Sequence, residues 1–192
     1  VCSSDLRVTV LAALVANTKR RPVVIATPTG TTAQAIADDL AAFLGADAVE
    51  FFPSWETLPF ERVSPAVHTM GSRMRTMWRL RQGDDAPSVV VASTRALLQK
   101  LAPGSTTLDP IRVSVGTTVD IDALCEQLVH FGYRRETVVE HRGEFARRGA
   151  IVDIYPSTDD EPIRIDLWGD EVDRLSHFTV ADQRSTIDVA TT

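Results

Sequence analysis

Three short runs of β-branched and aromatic residues constrain this chain more than any other feature: Pro22-Val23-Val24-Ile25-Ala26, Ala48-Val49-Glu50-Phe51-Phe52 and Ser88-Val89-Val90-Val91-Ala92. The first and third are too apolar for a strand with one wet face. They need cover on both sides, as in a parallel sheet layered with helices. The intervening segments supply that cover. Thr27-Pro28-Thr29-Gly30 closes the first strand, Thr31 or Thr32 caps an Ala-rich helix running to Leu44, and Gly45 stops it. Strand, helix, strand in that order is a right-handed crossover by strong precedent. Upstream, Ser3, Ser4 or Asp5 caps a helix from about Leu6 to Ala16.

Pro53 to Pro65 holds three prolines and two aromatics and reads as an ordered loop with its aromatics packed beneath it. Ser64-Pro65 then opens a helix to Gln82, with Val67, Met70, Met74, Met77, Trp78 and Leu80 as its core stripe and Arg73, Arg75, Arg79 and Arg81 on other faces. Ser93 caps a last helix over Thr94 to Leu101. The first half, 1–110, is therefore an α/β layer on a parallel sheet.

After the Pro103 to Pro110 linker the pattern changes. Ile111 to Val115 alternates, Asp120 opens a helix carrying Ile121, Leu124, Cys125, Leu128 and Val129, and Gly132 ends it. Strands are expected at Glu136–Glu140, Ala150–Ile154, Pro162–Leu167 and Val172–Val180, with Trp168 to Glu171 as a turn. Residues 111–192 thus read as a small antiparallel α+β module. The length of 192 residues suits two small domains.

Within the second half one stretch stands apart: Arg134, Arg135, Arg142, Arg147 and Arg148 fall within sixteen residues beginning at Tyr133. From Ile111 onward there are nine Arg, no Lys and sixteen Asp or Glu, so these arginines form an island in an acidic surround. Arginine's planar fork suits carboxylates and phosphates alike. The acidic surround and a net charge of −6 favour recognition of protein over a phosphate-tracking groove.

Other chemistries lack their residues. No Gly-rich loop ending in Gly-Lys-Ser or Gly-Lys-Thr exists anywhere in the chain, and no Asp-Glu pair closes a buried strand to hold Mg²⁺. The histidines His68, His130, His141 and His177 are scattered, with no nucleophile elbow. Cys2 and Cys125 have no Cys or His at metal-ligand spacing, and Cys125 reads as core. No run approaches the roughly 18 apolar residues of a membrane span. The expectation is a cytoplasmic, non-catalytic chain without cofactor or metal.

Three segments carry a family resemblance: Phe51-Phe52-Pro53-Ser54-Trp55-Glu56-Thr57-Leu58-Pro59-Phe60-Glu61-Arg62-Val63-Ser64-Pro65, the run Arg142 to Ile154, and Asp166-Leu167-Trp168-Gly169-Asp170-Glu171-Val172-Asp173. Together they resemble the N-terminal region of the bacterial transcription-repair coupling factors (Mfd), from about Leu6 to Ser185. That region is similar in turn to the excision-repair protein UvrB, whose first motor domain carries an inserted module that binds UvrA. The resemblance implies a degenerate helicase-like parallel-sheet domain (UvrB domain 1a-like) at 1–110 and a UvrA-binding module (UvrB domain 2-like) at 111–192. It implies an adaptor that recruits UvrA to RNA polymerase stalled at DNA damage, with RNA polymerase and double-stranded DNA as partners of the full-length protein, an ATP-dependent translocase.

By the same resemblance, Arg135 with Arg134 beside it, and Arg148 with Arg147 and Phe145 beside it, fall where UvrB contacts UvrA. One UvrB arginine falls on Ala146. The competing reading pairs these arginines in cis with Glu136, Glu140 or Glu144. The rival functions are a UvrB-type ATP-dependent helicase fragment, opposed by the missing phosphate loop, and a DNA-contacting scaffold. The damage-probing hairpin of UvrB is also absent, because only Pro53 to Pro65 separates the second strand from the next helix.

Overall fold

A computed structural model describes residues 2–57, 65–101, 104 and 107–192. The chain divides into two compact units, Val1–Pro110 and Ile111–Thr192. Among the described residues no helix is long and apolar enough to cross a membrane.

The first unit contains α1 (Cys2–Asn17), β1 (Val23–Thr27), α2 (Gly30–Leu44), β2 (Val49–Phe52), α3 (Val67–Arg79), β3 (Val89–Ser93) and α4 (Thr94–Leu98). The strands form a parallel sheet in the order β1-β3-β2, so the crossover from β1 to β2 leaves room for β3 between them. Every residue of β3 is buried, as its unbroken apolar run requires. Val89 and Val91 face α1 and α2, with Val15, Ala33 and Leu40, while Val90 and Ala92 face α4 and the end of α3, with Ala96, Met77 and Leu80. The cap of α2 is Thr29 and not Thr31 or Thr32: its hydroxyl accepts from the Thr32 N–H. Gly45 ends that helix at φ 91°, a backbone that a side chain would strain.

Helix α3 departs from expectation. Its buried residues are Thr69, Arg73 and Thr76, not the methionine stripe. The reason lies in what faces it: Glu50 of β2 is buried and takes Arg79 Nη1 at 2.8 Å, Arg75 Nε at 3.2 Å and the Thr76 hydroxyl at 3.2 Å. A buried carboxylate recruits donors, and α3 turns its polar side inward to supply them. Arg73, only 2% exposed, lies between the rings of Phe52 at 4.1 Å and Trp55 at 4.4 Å and donates to the Pro53 carbonyl at 2.6 Å. The expected aromatic loop is thus held at Trp55 by a cation from α3. Its remainder, 58–64, including the expected helix start at Ser64, lies outside the described residues, as does Pro103 of the linker.

The second unit contains α5 (Ile121–His130), β4 (Arg134–Arg135), β5 (Glu144–Arg148), β6 (Ile151–Ile154), β7 (Ile163–Trp168), β8 (Glu171–Phe178) and β9 (Ser185–Val189), in one six-stranded sheet of that order. It is mixed and not antiparallel, because β4 runs parallel to β5. The expected strand at 136–140 is instead an irregular loop, and the Arg-rich segment ahead of Ala150 is itself the strand β5. The last expected strand, Val172–Val180, is β8, and β9 beyond it was not anticipated. Ile111–Val115 forms no named strand, but Ser114 bridges Thr191, and Val113 exchanges hydrogen bonds with Thr192. Asp120 caps α5 by accepting from the N–H groups of Asp122 and Ala123. One sheet face is covered by α5, where Leu124, Cys125 and Leu128 pack on Phe145, Val152, Ile165, Val172 and Leu175. Cys125 is core, as expected.

Candidate protein-interaction face

The pleat of β5 decides where the arginine island goes. Alternate residues of a strand point to opposite faces. Phe145 and Arg147 therefore point toward α5, while Glu144, Ala146 and Arg148 point to the helix-free face. In the parallel β4/β5 pair Arg134 stands opposite Glu144 and Arg135 opposite Phe145. The five expected contact residues do not share a surface. Arg134 and Arg148 occupy the helix-free face; Arg135, Arg147 and Phe145 belong to the other.

Each has a distinct setting. Arg134, with 68% of its side chain exposed, donates through Nη2 to the buried Glu144 at 3.0 Å. Arg148, 44% exposed, donates to Asp153, whose side chain is 1% exposed. Arg164 reaches the same Asp153 through Nε at 2.6 Å and Nη2 at 3.0 Å, so one buried carboxylate holds two guanidinium groups. Arg147 pairs with Asp122 in the first turn of α5. Arg135 is exposed and its side chain has no hydrogen-bond or ion-pair partner among the described residues. Phe145 is 0% exposed in the core beneath α5, which removes it from the contact set. The pattern explains why: a residue directly opposite the inward side of α5 has no route to solvent.

The cis pairing anticipated for these arginines is real for Arg134 with Glu144, but Arg147 and Arg148 choose Asp122 and Asp153 instead. Arg142, the fifth arginine of the island, donates to Asp160 and to the Asp159 carbonyl. Asp153 and Arg164 were not singled out in the sequence. The available signal was a lone acid between Val152 and Ile154 in a strand otherwise apolar.

The family model described as the UvrB interaction domain matches residues 111–192, the whole of the second unit. Proteins called transcription-repair-coupling factor from Mycobacterium bovis and Mycobacterium tuberculosis are 42% identical over 172 residues, covering 87% of this chain and 14% of each relative. The one from Bacillus subtilis is 34% identical over 177 residues, covering 92% of this chain and 15% of its own length. The chain belongs to the transcription-repair-coupling factor family. It spans 14 to 15% of the length of these coupling factors. The similarity to the coupling factors extends over both units, since 87% of the chain exceeds either unit alone.

In this coupling-factor segment Glu144 organises the loop that leads from β4 to β5. Its carboxylate accepts from the N–H groups of Glu140 at 3.0 Å and His141 at 2.8 Å, beside Arg134. That collects the chain over Val139, which is buried against Ala146 and Phe178 on the helix-free face. Burial pushes the Glu144 carboxyl up, but the two backbone donors and the charges of His141 and Arg134 outweigh it and hold it below the ordinary carboxylate value. A folded value below the unfolded one means the stabilisation is complete above the ordinary carboxylate range and is lost as pH falls through the folded value. Glu144→Gln is therefore expected to cost about 2 kcal/mol at neutral pH. Urea midpoints of the two proteins should converge as the pH is lowered below about 4. A gap that does not narrow in acid would contradict this role.

Proposed function

We propose that this chain is a non-catalytic adaptor whose second unit binds UvrA, so that excision repair is brought to RNA polymerase stalled at DNA damage. The first unit, in this reading, is a degenerate helicase-like domain (UvrB domain 1a-like) and the second a UvrB domain 2-like module. RNA polymerase and double-stranded DNA are partners of the full-length protein, whose translocase activity depends on ATP.

One observation carries the reading: within the module matched by the UvrB interaction domain, Arg134 and Arg148 stand on one face, each tethered by a buried acid while much of its guanidinium stays in water. An arginine already oriented loses less conformational freedom when it takes a partner carboxylate in its fork. An acidic patch on a protein fits such a pair, and the acidic surround of this chain disfavours a nucleic-acid backbone. Arg135 and Arg147 lie on the α5 side and contribute less to the same contact. Purified UvrA passed over the immobilised chain at physiological salt tests the proposal. Saturable binding competed by free chain is expected; no binding would overturn it.

A further inference from the structure

We infer that Trp168 is an apolar anchor for the protein partner that docks on the helix-free face, seated in an apolar pocket of that partner beside the carboxylates that take Arg148. The inference rests on the proposed function for the identity of that partner, UvrA, and deepens it by naming a residue that composition and motif reading assigned only to a turn.

Trp168 ends β7, two residues beyond Asp166 on the same face, and the register places Arg148, Ile151, Asp166 and Arg174 in one row across four strands. Trp168 stands one step further toward the same end of the sheet, roughly two strand spacings, or about 10 Å, from the strand of Arg148. Its side chain is 84% exposed, the most exposed large apolar residue among those described. It has no ring contact or hydrogen bond among the described residues.

An indole so placed is poorly used by the fold, yet the turn that presents it is firmly built. Gly169 takes φ 64°, the Val119 N–H donates to the Asp170 carbonyl at 2.7 Å, and Gly116 and Val172 are joined through N–H to carbonyl at 2.8 Å. On the other side the Leu167 N–H donates to Ala150 at 3.0 Å, tying the turn to the β5–β6 hairpin that carries Arg148. A rigidly held Trp with only two side-chain torsions, on the face that carries Arg148 and with Asp166 and Glu171, the Trp's cross-strand partner, as nearer neighbours, has the composition of an interface hot spot: little entropy is lost and a large apolar area is buried. Continuity with the row that carries Arg148 selects the protein that takes Arg148 as the occupant, its carboxylates meeting the arginine and its apolar pocket the indole.

The test is UvrA affinity and melting temperature measured together on the full 192-residue chain and its variants. Trp168→Ala is expected to weaken UvrA binding by roughly 30-fold or more at unchanged melting temperature, and Trp168→Phe to retain most of the affinity. Normal binding by Trp168→Ala, where an Arg134→Ala, Arg148→Ala variant has lost UvrA, would overturn the anchor and leave the adaptor reading standing. Failure of the unsubstituted chain to bind would remove both. Loss of binding only through earlier melting, or loss of self-association with UvrA binding intact, would assign Trp168 to the fold or to a second copy and would also overturn it.

Discussion

Replacing Asp153 by Ala is expected to cost the second unit about 3 to 5 kcal/mol. Asp153 is 1% exposed and answers two arginines, Arg164 from the neighbouring strand and Arg148 from β5. Arg164 is itself mostly buried, stacked over the Phe178 ring at 4.9 Å, and its bond to Asp153 holds its guanidinium above the ordinary value. Removing the carboxylate leaves that cation in a poorly hydrated place with little but the Gln183 carbonyl at 3.1 Å as a partner. A unit of this size holds on the order of 4 to 12 kcal/mol in all, so the substitution takes a large share. Asp153→Asn, which keeps the shape and one acceptor, should fall between. Urea unfolding followed by circular dichroism, with hydrogen exchange locating the loss in β5 to β7, measures it. A cost under about 1 kcal/mol would mean that water solvates these arginines in the folded state.

In the first unit the largest effect is expected at Arg73, and its sign depends on the replacement. Arg73→Ala empties the space between Phe52 and Trp55, removes the bond to Pro53 and should cost about 3 to 5 kcal/mol. Arg73→Met should cost far less, about 1 kcal/mol or under, or even stabilise. The reason is that Nε and Nη2 of Arg73 are buried without hydrogen-bond partners among the described residues, and burial lowers its pKa from the ordinary guanidinium value. A methionine fills the same slot between two rings without those orphaned donors. Denaturation midpoints of the three proteins decide the matter. Equal losses for Ala and Met would show that the cation's attraction for the two rings, and not the volume it fills, holds Trp55 in place.

The parallel sheet was legible because β3 is an apolar run with no alternation that only burial on both faces accommodates; the equally apolar run of β1 misled in part, because β1 ends the three-stranded order and leaves Val24 and Ala26 exposed. The change of pattern at the Pro103 to Pro110 segment coincides with the boundary of the two units, and the cap of α5 was legible because Asp120 stands just ahead of a helix-periodic apolar run, where its short carboxylate accepts the first free N–H groups. Helix α3 misled because periodicity finds apolar stripes, and here the buried side answers a buried Glu50 on a strand distant in sequence. The arginine island was visible, but its division between two faces was not. With no strand expected between Glu140 and Ala150, the pleat that separates Arg147 from Arg148 was not foreseen. The loop at 136–140, in turn, has β-branched residues yet follows the carboxylate of Glu144, a contact that strand propensity cannot register. Trp168 fell on an expected turn, where an aromatic carries no periodic signal.

The two faces separate the central claim from its rivals in one titration. UvrA affinity should be measured for an Arg134→Ala, Arg148→Ala variant, an Arg135→Ala, Arg147→Ala variant and an Arg134→Lys, Arg148→Lys variant, each checked for folding by circular dichroism. Glu144 keeps its backbone donors and Asp153 keeps Arg164, so the first variant should remain folded. It is expected to bind UvrA roughly 30-fold to 1000-fold more weakly, because a partner carboxylate is left unpaired. The α5-side variant should lose little, and lysine should restore only part, having charge without the two-pronged geometry. Normal UvrA binding by a folded Arg134→Ala, Arg148→Ala variant would contradict the assignment of this face.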